Sequence, residues 1–269
     1  MTNETHYVFT KIEQDRFALH GLIKRNGFLS PAQLARAREV IFQQFERERV
    51  WKDGQWQLTH QEFIPGIAAG MALVKPMNRH PAIIDLAGGA TLAAASALAG
   101  ARPVYPMNPH PALLCTFPNA DTWYLPHASW HLDLPRLAES GLPGVQIFAI
   151  LDDVEPEGGG TLAIIGSHRL LNDNGRISSS DLRKRLKREP YFAQLMSDKP
   201  SNRSRLIGEP GRVGDVEVSV VEMTGEAGDV YFMDLRILHN IAPNARPKPR
   251  LMLTQRYLLD HARNEIYEQ

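Results

Sequence analysis

Val145-Gln-Ile-Phe-Ala-Ile-Leu151, then Glu155-Pro-Glu-Gly-Gly-Gly160, then Thr161-Leu-Ala-Ile-Ile165 follow closely along the chain. The first reads as a near-continuous apolar strand, the second as a turn, and the third, with Gly160 leading in, as another strand. Downstream, Val216–Val221 alternates, and Asp229–Met233 and Leu251–Tyr257 are further strand-length runs. From about Pro103 onward the texture is therefore short strands separated by turn signals, which predicts a sandwich or barrel. Upstream the pattern changes to helical spacing over Ile12–Ile23, Pro31–Val50 and Pro81–Gly100, with Ser30-Pro31 as an N-cap and first-turn pair. Trp51–Pro76 is punctuated by glycine and proline and receives no assignment. The expected architecture is mainly β behind a helical N-terminal layer. With no interdomain linker visible, one domain is expected over residues 1–269: helical support over 1–102, and a β core over 103–260 interrupted by an insertion over 171–214.

That insertion is polar and carries the basic run Leu182-Arg-Lys-Arg-Leu-Lys-Arg188. It reads as a solvated amphipathic helix, with a lid over a site as the functional alternative.

Thirty basic and thirty acidic side chains balance in the 269 residues, which argues against a nucleic-acid or membrane-surface partner. The single cysteine, Cys115, lies in the apolar run Ala112–Phe117 and reads as a small buried hydrophobe. It excludes an internal disulfide framework and fits a reducing compartment. Met1–Tyr7 has no basic region leading into an apolar stretch, so no signal peptide is expected. The most apolar segment, Leu86–Ala101, is interrupted by glycine and reads as a core helix. A soluble, cytoplasmic protein is the expectation. With ten histidines and one cysteine, metal chemistry here has to be His/carboxylate chemistry, which favours iron, manganese or catalytic zinc.

Trp130-His131-Leu132-Asp133 is the informative motif. Residues two apart on a strand share a face, so one strand can offer an imidazole and a carboxylate to a single ion. A His-x-Asp alone arises by chance in about half of chains of this composition, and His60-Gln61-Glu62 offers the same donors. The distance pattern favours the first pair. Gly228–Met233 reads as turn and strand, His239 follows a short connection, and Arg250 opens a strand eleven residues later. Two histidines and a carboxylate on one face leave open positions on a non-haem Fe(II). A 2-oxo diacid chelating that iron would need a cation for its far carboxylate, and an arginine supplies a planar, permanently charged fork. His168 is the alternative third ligand, although Gly166-Ser167-His168 reads better as the end of a strand. His127 is a loop residue that could line a pocket, and Trp123, Tyr124, Trp130 and Phe148 are aromatic wall candidates.

In this order Trp130–Asp133, Gly159–His168, Gly228–Met233, His239 and Arg250 resemble the phytanoyl-CoA dioxygenase family. Phe17–Leu34, His80–Ala87 and Leu98–Gly100 are similar to its N-terminal part, so the likeness runs over residues 15–260. It is weakest at 50–75 and 171–214. The resemblance implies a double-stranded β-helix (jelly roll), a mononuclear Fe(II), 2-oxoglutarate as co-substrate, and O2-dependent hydroxylation or related oxidation of a small molecule, with succinate and CO2 as co-products. Carried over, His131, Asp133 and His239 are the metal ligands and catalytic centre, Arg250 binds the far carboxylate, and Thr161 contacts the co-substrate. Related halogenases lack the carboxylate, so Asp133 points to oxygenation. Two positions depart from the family: Leu132, where glutamine is frequent, and Met252, where some members carry serine. A non-catalytic jelly-roll binder and a zinc hydrolase using the same ligands are the rival readings.

Overall fold

A computed structural model describes residues 9–57, 66–134, 141–171, 179–199 and 202–267. The alternative pair His60 and Glu62 lies outside them. The apolar run at 145–151 is strand β6, whose seven residues are all buried. In chain order the strands are β1 (Leu22–Arg25), β2 (Trp51–Lys52), β3 (Gln55–Trp56), β4 (Val104–Pro106), β5 (Ala112–Thr116), β6 (Gly144–Ile150), β7 (Thr161–Ile165), β8 (Gly211–Val213), β9 (Val216–Glu222), β10 (Val230–Asp234), β11 (His239–Ile241) and β12 (Arg250–Leu259). The helices are α1 (Lys11–His20), α2 (Pro31–Arg47), α3 (Gly66–Val74), α4 (Pro81–Asp85), α5 (Gly89–Leu98), α6 (Ser179–Leu186), α7 (Pro190–Leu195) and α8 (Asp260–Tyr267).

Two antiparallel sheets face each other as a jelly roll. The larger runs β1-β10-β6-β12-β4, with β5 also on β12, and the smaller runs β11-β7-β9-β8. Strand alternation divides the interior into three layers. Val145, Ile147 and Ala149 of β6, with Leu251, Leu253 and Tyr257 of β12, face the helices and pack with Phe17, Ile41, Phe45 and Ile83. The intervening Phe148, Ile150 and Met252 face the other way, into the space between the sheets, where they meet Ala163, Met223, Tyr231 and Met233. On the far side of the smaller sheet, Leu162, Ile164, Val218 and Val220 pack against Leu182, Leu186, Phe192 and Leu195. The basic insertion is therefore half structural. Leu182 and Leu186 of α6 are buried while Lys184, Lys187 and Arg188 stay exposed, the division expected of an amphipathic helix.

Two helical expectations are corrected. The run Ile12–Ile23 stops at His20 because Gly21 takes a left-handed φ of 71° and its N–H closes on Phe17 O. The next four residues then join the larger sheet as β1, antiparallel to β10. Pro81–Gly100 contains two helices, broken over residues 86–88. Residues 81–98 have the length and hydropathy of a membrane span, yet they are divided between α4 and α5, and α5 lies against β6. Ser30 caps α2 with Pro31 in its first turn, as expected, and Gln33 completes the capping box. Cys115 is buried in the helix-facing layer, and burial pushes its thiol up to about 12.

Helix α3 reaches β5 only because residue 70 is glycine, where a Cβ would run into the Cys115 carbonyl. Gly70→Ala is expected to destabilise the fold by about 1–3 kcal/mol, as overpacking does. Thermal unfolding would register this as a midpoint several degrees lower, and an unchanged midpoint would show that the two elements do not touch there.

Candidate metal centre

The alternation of 130–133 is anchored from behind. Trp130 is fully buried in the layer outside the smaller sheet, its indole N–H donating to Pro126 O at 3.1 Å. Leu132 packs on the same layer and its N–H donates to Ser179 Oγ at 3.1 Å, at the start of α6. His131 and Asp133 are turned the opposite way. Residues 131 and 239 form a two-way backbone pair, each N–H donating to the other's carbonyl at 3.0 Å. This brings the two rings to a centroid separation of 4.3 Å. One ligand atom from each of His131, Asp133 and His239 lies within 4.8 Å of the others.

The donor chemistry fits a divalent cation. His131 Nδ1 lies 2.9 Å from Ser129 O, and His239 Nδ1 lies 3.1 Å from Ile237 O. Each Nδ1 therefore carries the proton, and each Nε2 turns a lone pair toward the shared space. The Nε2 atoms stand 3.6 Å (His131) and 3.4 Å (His239) from the Asp133 carboxylate. In those tautomers both Nε2 lone pairs and the carboxylate face one shared space, where a cation can be held. Two imidazole nitrogens and one carboxylate on one face is the donor set of non-haem Fe(II) oxygenases.

Asp133 is further held by two residues that sequence reading missed. Arg256 donates through Nε at 2.9 Å and Nη2 at 2.6 Å, and Gln146 through Nε2 at 2.8 Å, all to Oδ2. Gln146 and Arg256 are register partners on β6 and β12. The signal was available: Gln146 is the only polar side chain in an otherwise apolar strand, and Arg256 shares strand parity with Arg250. Burial alone would raise the Asp133 pKa, but the imidazoles and Arg256 outweigh it and hold the carboxyl well below the usual range. The same carboxylate raises His131 above its ordinary value, against burial. Iron must displace that proton. Its affinity is thus expected to be full above the raised His131 pKa and to fall about tenfold per pH unit below it. Anaerobic iron titrations across neutral to mildly acidic pH would show this, and a flat profile would refute it.

Arg250 opens β12 with 2% of its surface exposed. Its Nη2 donates to Thr116 Oγ1 at 2.7 Å, across the register from it on β5, and Nη1 makes longer contacts with Thr161 Oγ1 at 3.5 Å and Met252 Sδ at 3.4 Å. Burial lowers its pKa to about 10, which still leaves it cationic at neutral pH. Among the described residues its Nε is buried without a partner, which leaves donor capacity over beside a buried cation. Thr161 is two residues along β7 from Ala163, the register partner of His239, a spacing of about 7 Å. Through Thr161 on β7, Arg250 is thus linked to the strand that pairs with His239. Thr116 is the contact that takes up the guanidinium next to Met252.

His168 is not among the converging ligands. It sits in a 3-10 turn with Nε2 3.0 Å from Ala18 O, tying that turn to α1. Neighbouring Ser167 Oγ accepts from Leu238 N at 3.0 Å, which steadies the approach to His239. Of the aromatic candidates, Trp130 is core and Phe148 faces His239 at 6.2 Å inside the barrel. Tyr124 and His127 line a groove of about 520 Å³ that opens beside His131, with Asn119, Ser129 and Asn240 on its walls. Trp123 packs on the outer layer instead.

The sequence model of the family described as "Phytanoyl-CoA dioxygenase (PhyH)" matches residues 17–252. No curated protein matches the chain at the sequence level. Among solved structures, AviO1 from Streptomyces viridochromogenes Tue57 is 21% identical with a TM-score of 0.56, the alignment covering 92% of this chain and 93% of that one. SnoK, a non-heme alpha ketoglutarate dependent carbocyclase from nogalamycin biosynthesis, is 19% identical with a TM-score of 0.56, covering 94% and 85%. EctD from S. alaskensis, crystallised with 2-oxoglutarate and 5-hydroxyectoine, is 17% identical with a TM-score of 0.53, covering 96% and 78%. At these identities the likeness establishes the shared fold.

Proposed function

The chain belongs to the phytanoyl-CoA dioxygenase family and is an Fe(II)- and 2-oxoglutarate-dependent oxygenase, and from that premise we propose which residues carry the reaction and on what kind of substrate. His131, Asp133 and His239 hold the iron, and Arg250 takes the far carboxylate of 2-oxoglutarate, with Thr161 and Thr116 beside it. The observation that carries this reading is the convergence of three ligands within 4.8 Å in a barrel whose interior also holds a buried, charged arginine. Iron supplies the redox chemistry that couples decarboxylation of 2-oxoglutarate, giving succinate and CO2, to oxidation of a small molecule by O2.

The protein's own contribution is orientation and exclusion of water. Backbone carbonyls at Ser129 and Ile237 fix both imidazole tautomers. Phe148, Ile150, Met233 and Met252 line an apolar interior. The groove beside His131 is the route by which a substrate would approach, and hydroxylation is the simplest outcome. A zinc hydrolase would use the same ligands but would have no role for Arg250, and neither would a plain jelly-roll binder. Because the family match spans helical layer and barrel alike, the chain is read as a single oxygenase domain over residues 1–269. Its one cysteine, buried, suits a cytoplasmic setting.

Incubation with Fe(II), 2-oxoglutarate and O2 tests the reading. Succinate should form only when both iron and 2-oxoglutarate are present, rise when a small-molecule substrate is found, and match it in stoichiometry. Absence of any 2-oxoglutarate binding by the iron-loaded protein would overturn it.

A further inference from the structure

An arginine that merely neutralises a carboxylate usually engages it fork to fork, one N–H to each oxygen. Around Asp133 the pattern is different. Arg256 Nε and Nη2 and Gln146 Nε2 all donate to Oδ2, at 2.9, 2.6 and 2.8 Å. Each carboxylate oxygen offers about two lone-pair sites, so Oδ2 is saturated. Among the described residues no hydrogen bond reaches Oδ1, which faces His131 Nε2 at 3.6 Å, whereas Oδ2 carries all three donors and also faces His239 Nε2 at 3.4 Å. The Gln146 amide is oriented as well. Its nitrogen also donates to Thr254 Oγ1 at 3.1 Å, and Thr254 Oγ1 donates in turn to Ile147 O at 2.8 Å. Turning the amide over would set its oxygen against the carboxylate.

We propose that Arg256 and Gln146 are positioning residues that confine Asp133 to one-oxygen coordination through Oδ1, and thereby keep a coordination position free for the 2-oxo acid. The proposal rests on the iron and 2-oxoglutarate assignment above. A chelating co-substrate needs two adjacent positions on the ion, and a carboxylate free to bind through both oxygens would compete for one of them. Arg256 also sets a fixed positive charge beside the cation, which weakens iron binding through Coulomb repulsion. The clamp therefore favours the co-substrate at some expense to the metal, a combination that a purely structural ion pair would not produce.

The test compares wild type with Arg256→Gln, Arg256→Lys and Gln146→Leu under anaerobic conditions. Fe(II) affinity is read by competition with a chromogenic chelator, and 2-oxoglutarate affinity by the visible charge-transfer absorption that the iron complex develops. Arg256→Gln should weaken 2-oxoglutarate binding about tenfold, at the lower end of effects from groups that orient metal ligands, while iron affinity is unchanged or tighter. Arg256→Lys keeps the charge without the two-donor edge and should fall between. Gln146→Leu keeps the guanidinium and should show the same split at smaller size, so it carries the test should the Arg256 variants not fold. Parallel weakening of iron and 2-oxoglutarate, or no change in 2-oxoglutarate affinity, would overturn the proposal. A wild type that develops no absorption at all would instead overturn the assignment beneath it.

Discussion

Asp133→Ala is expected to give a folded chain that loses more than about a hundredfold in iron affinity, beyond the range for groups that only orient ligands, with succinate formation falling alongside. Two effects act in the same direction. The substitution removes one of three ligand groups, and it leaves Arg256 as an uncompensated cation within reach of the ion. Arg256 is partly solvent-exposed, with 26% of its side-chain surface accessible, so water can take over its hydrogen bonds and the fold should survive. Reconstitution with Fe(II) followed by elemental analysis, alongside a thermal midpoint, separates ligand loss from unfolding. His131→Ala and His239→Ala should lower iron content as well. Full iron retention in the Asp133 variant would mean that the ion is bound elsewhere.

Arg250→Leu should leave iron content intact and act on the co-substrate instead. Truncating one partner of a buried, hydrogen-bonded charge pair costs about 2–5 kcal/mol, so the Kd for 2-oxoglutarate should rise from about thirtyfold to a few thousandfold. Arg250→Lys should rescue little, because an ammonium cannot reproduce the planar fork that reaches Thr116 and Thr161. The stability of the ligand-free protein should move the other way. Wild type buries a guanidinium whose Nε has no partner among the described residues, and an apolar replacement of such a charge is often neutral or stabilising. A variant with wild-type 2-oxoglutarate affinity would remove Arg250 from the co-substrate site.

Which features could be read from the sequence follows from how local their causes are. Strands β6, β7, β9, β10 and β12 were legible because alternation or an apolar run is imposed directly by burial. The same logic placed His131 with Asp133 on one face. Strand β1 was hidden because Leu22–Arg25 continues a helical pattern, and only the left-handed cap at Gly21 ends it. Strand β11 is three residues long, too short for any periodicity, and the pairing that brings His239 to His131 is fixed by non-local hydrogen bonds. Arg256 and Gln146 were overlooked for a related reason. Each resembles an ordinary strand residue until register sets them side by side above Asp133. The basic insertion read as a solvated amphipathic helix, and what its charge count did not reveal is that Leu182 and Leu186 are buried and decide where α6 goes.

Anomalous diffraction at the iron edge, from crystals grown anaerobically with Fe(II) and 2-oxoglutarate, tests the centre most directly. One peak is expected between His131 Nε2, Asp133 Oδ1 and His239 Nε2, with 2-oxoglutarate reaching from it to the Arg250 guanidinium. A peak on any other set of side chains, or a 2-oxo acid bound away from Arg250, would contradict the account.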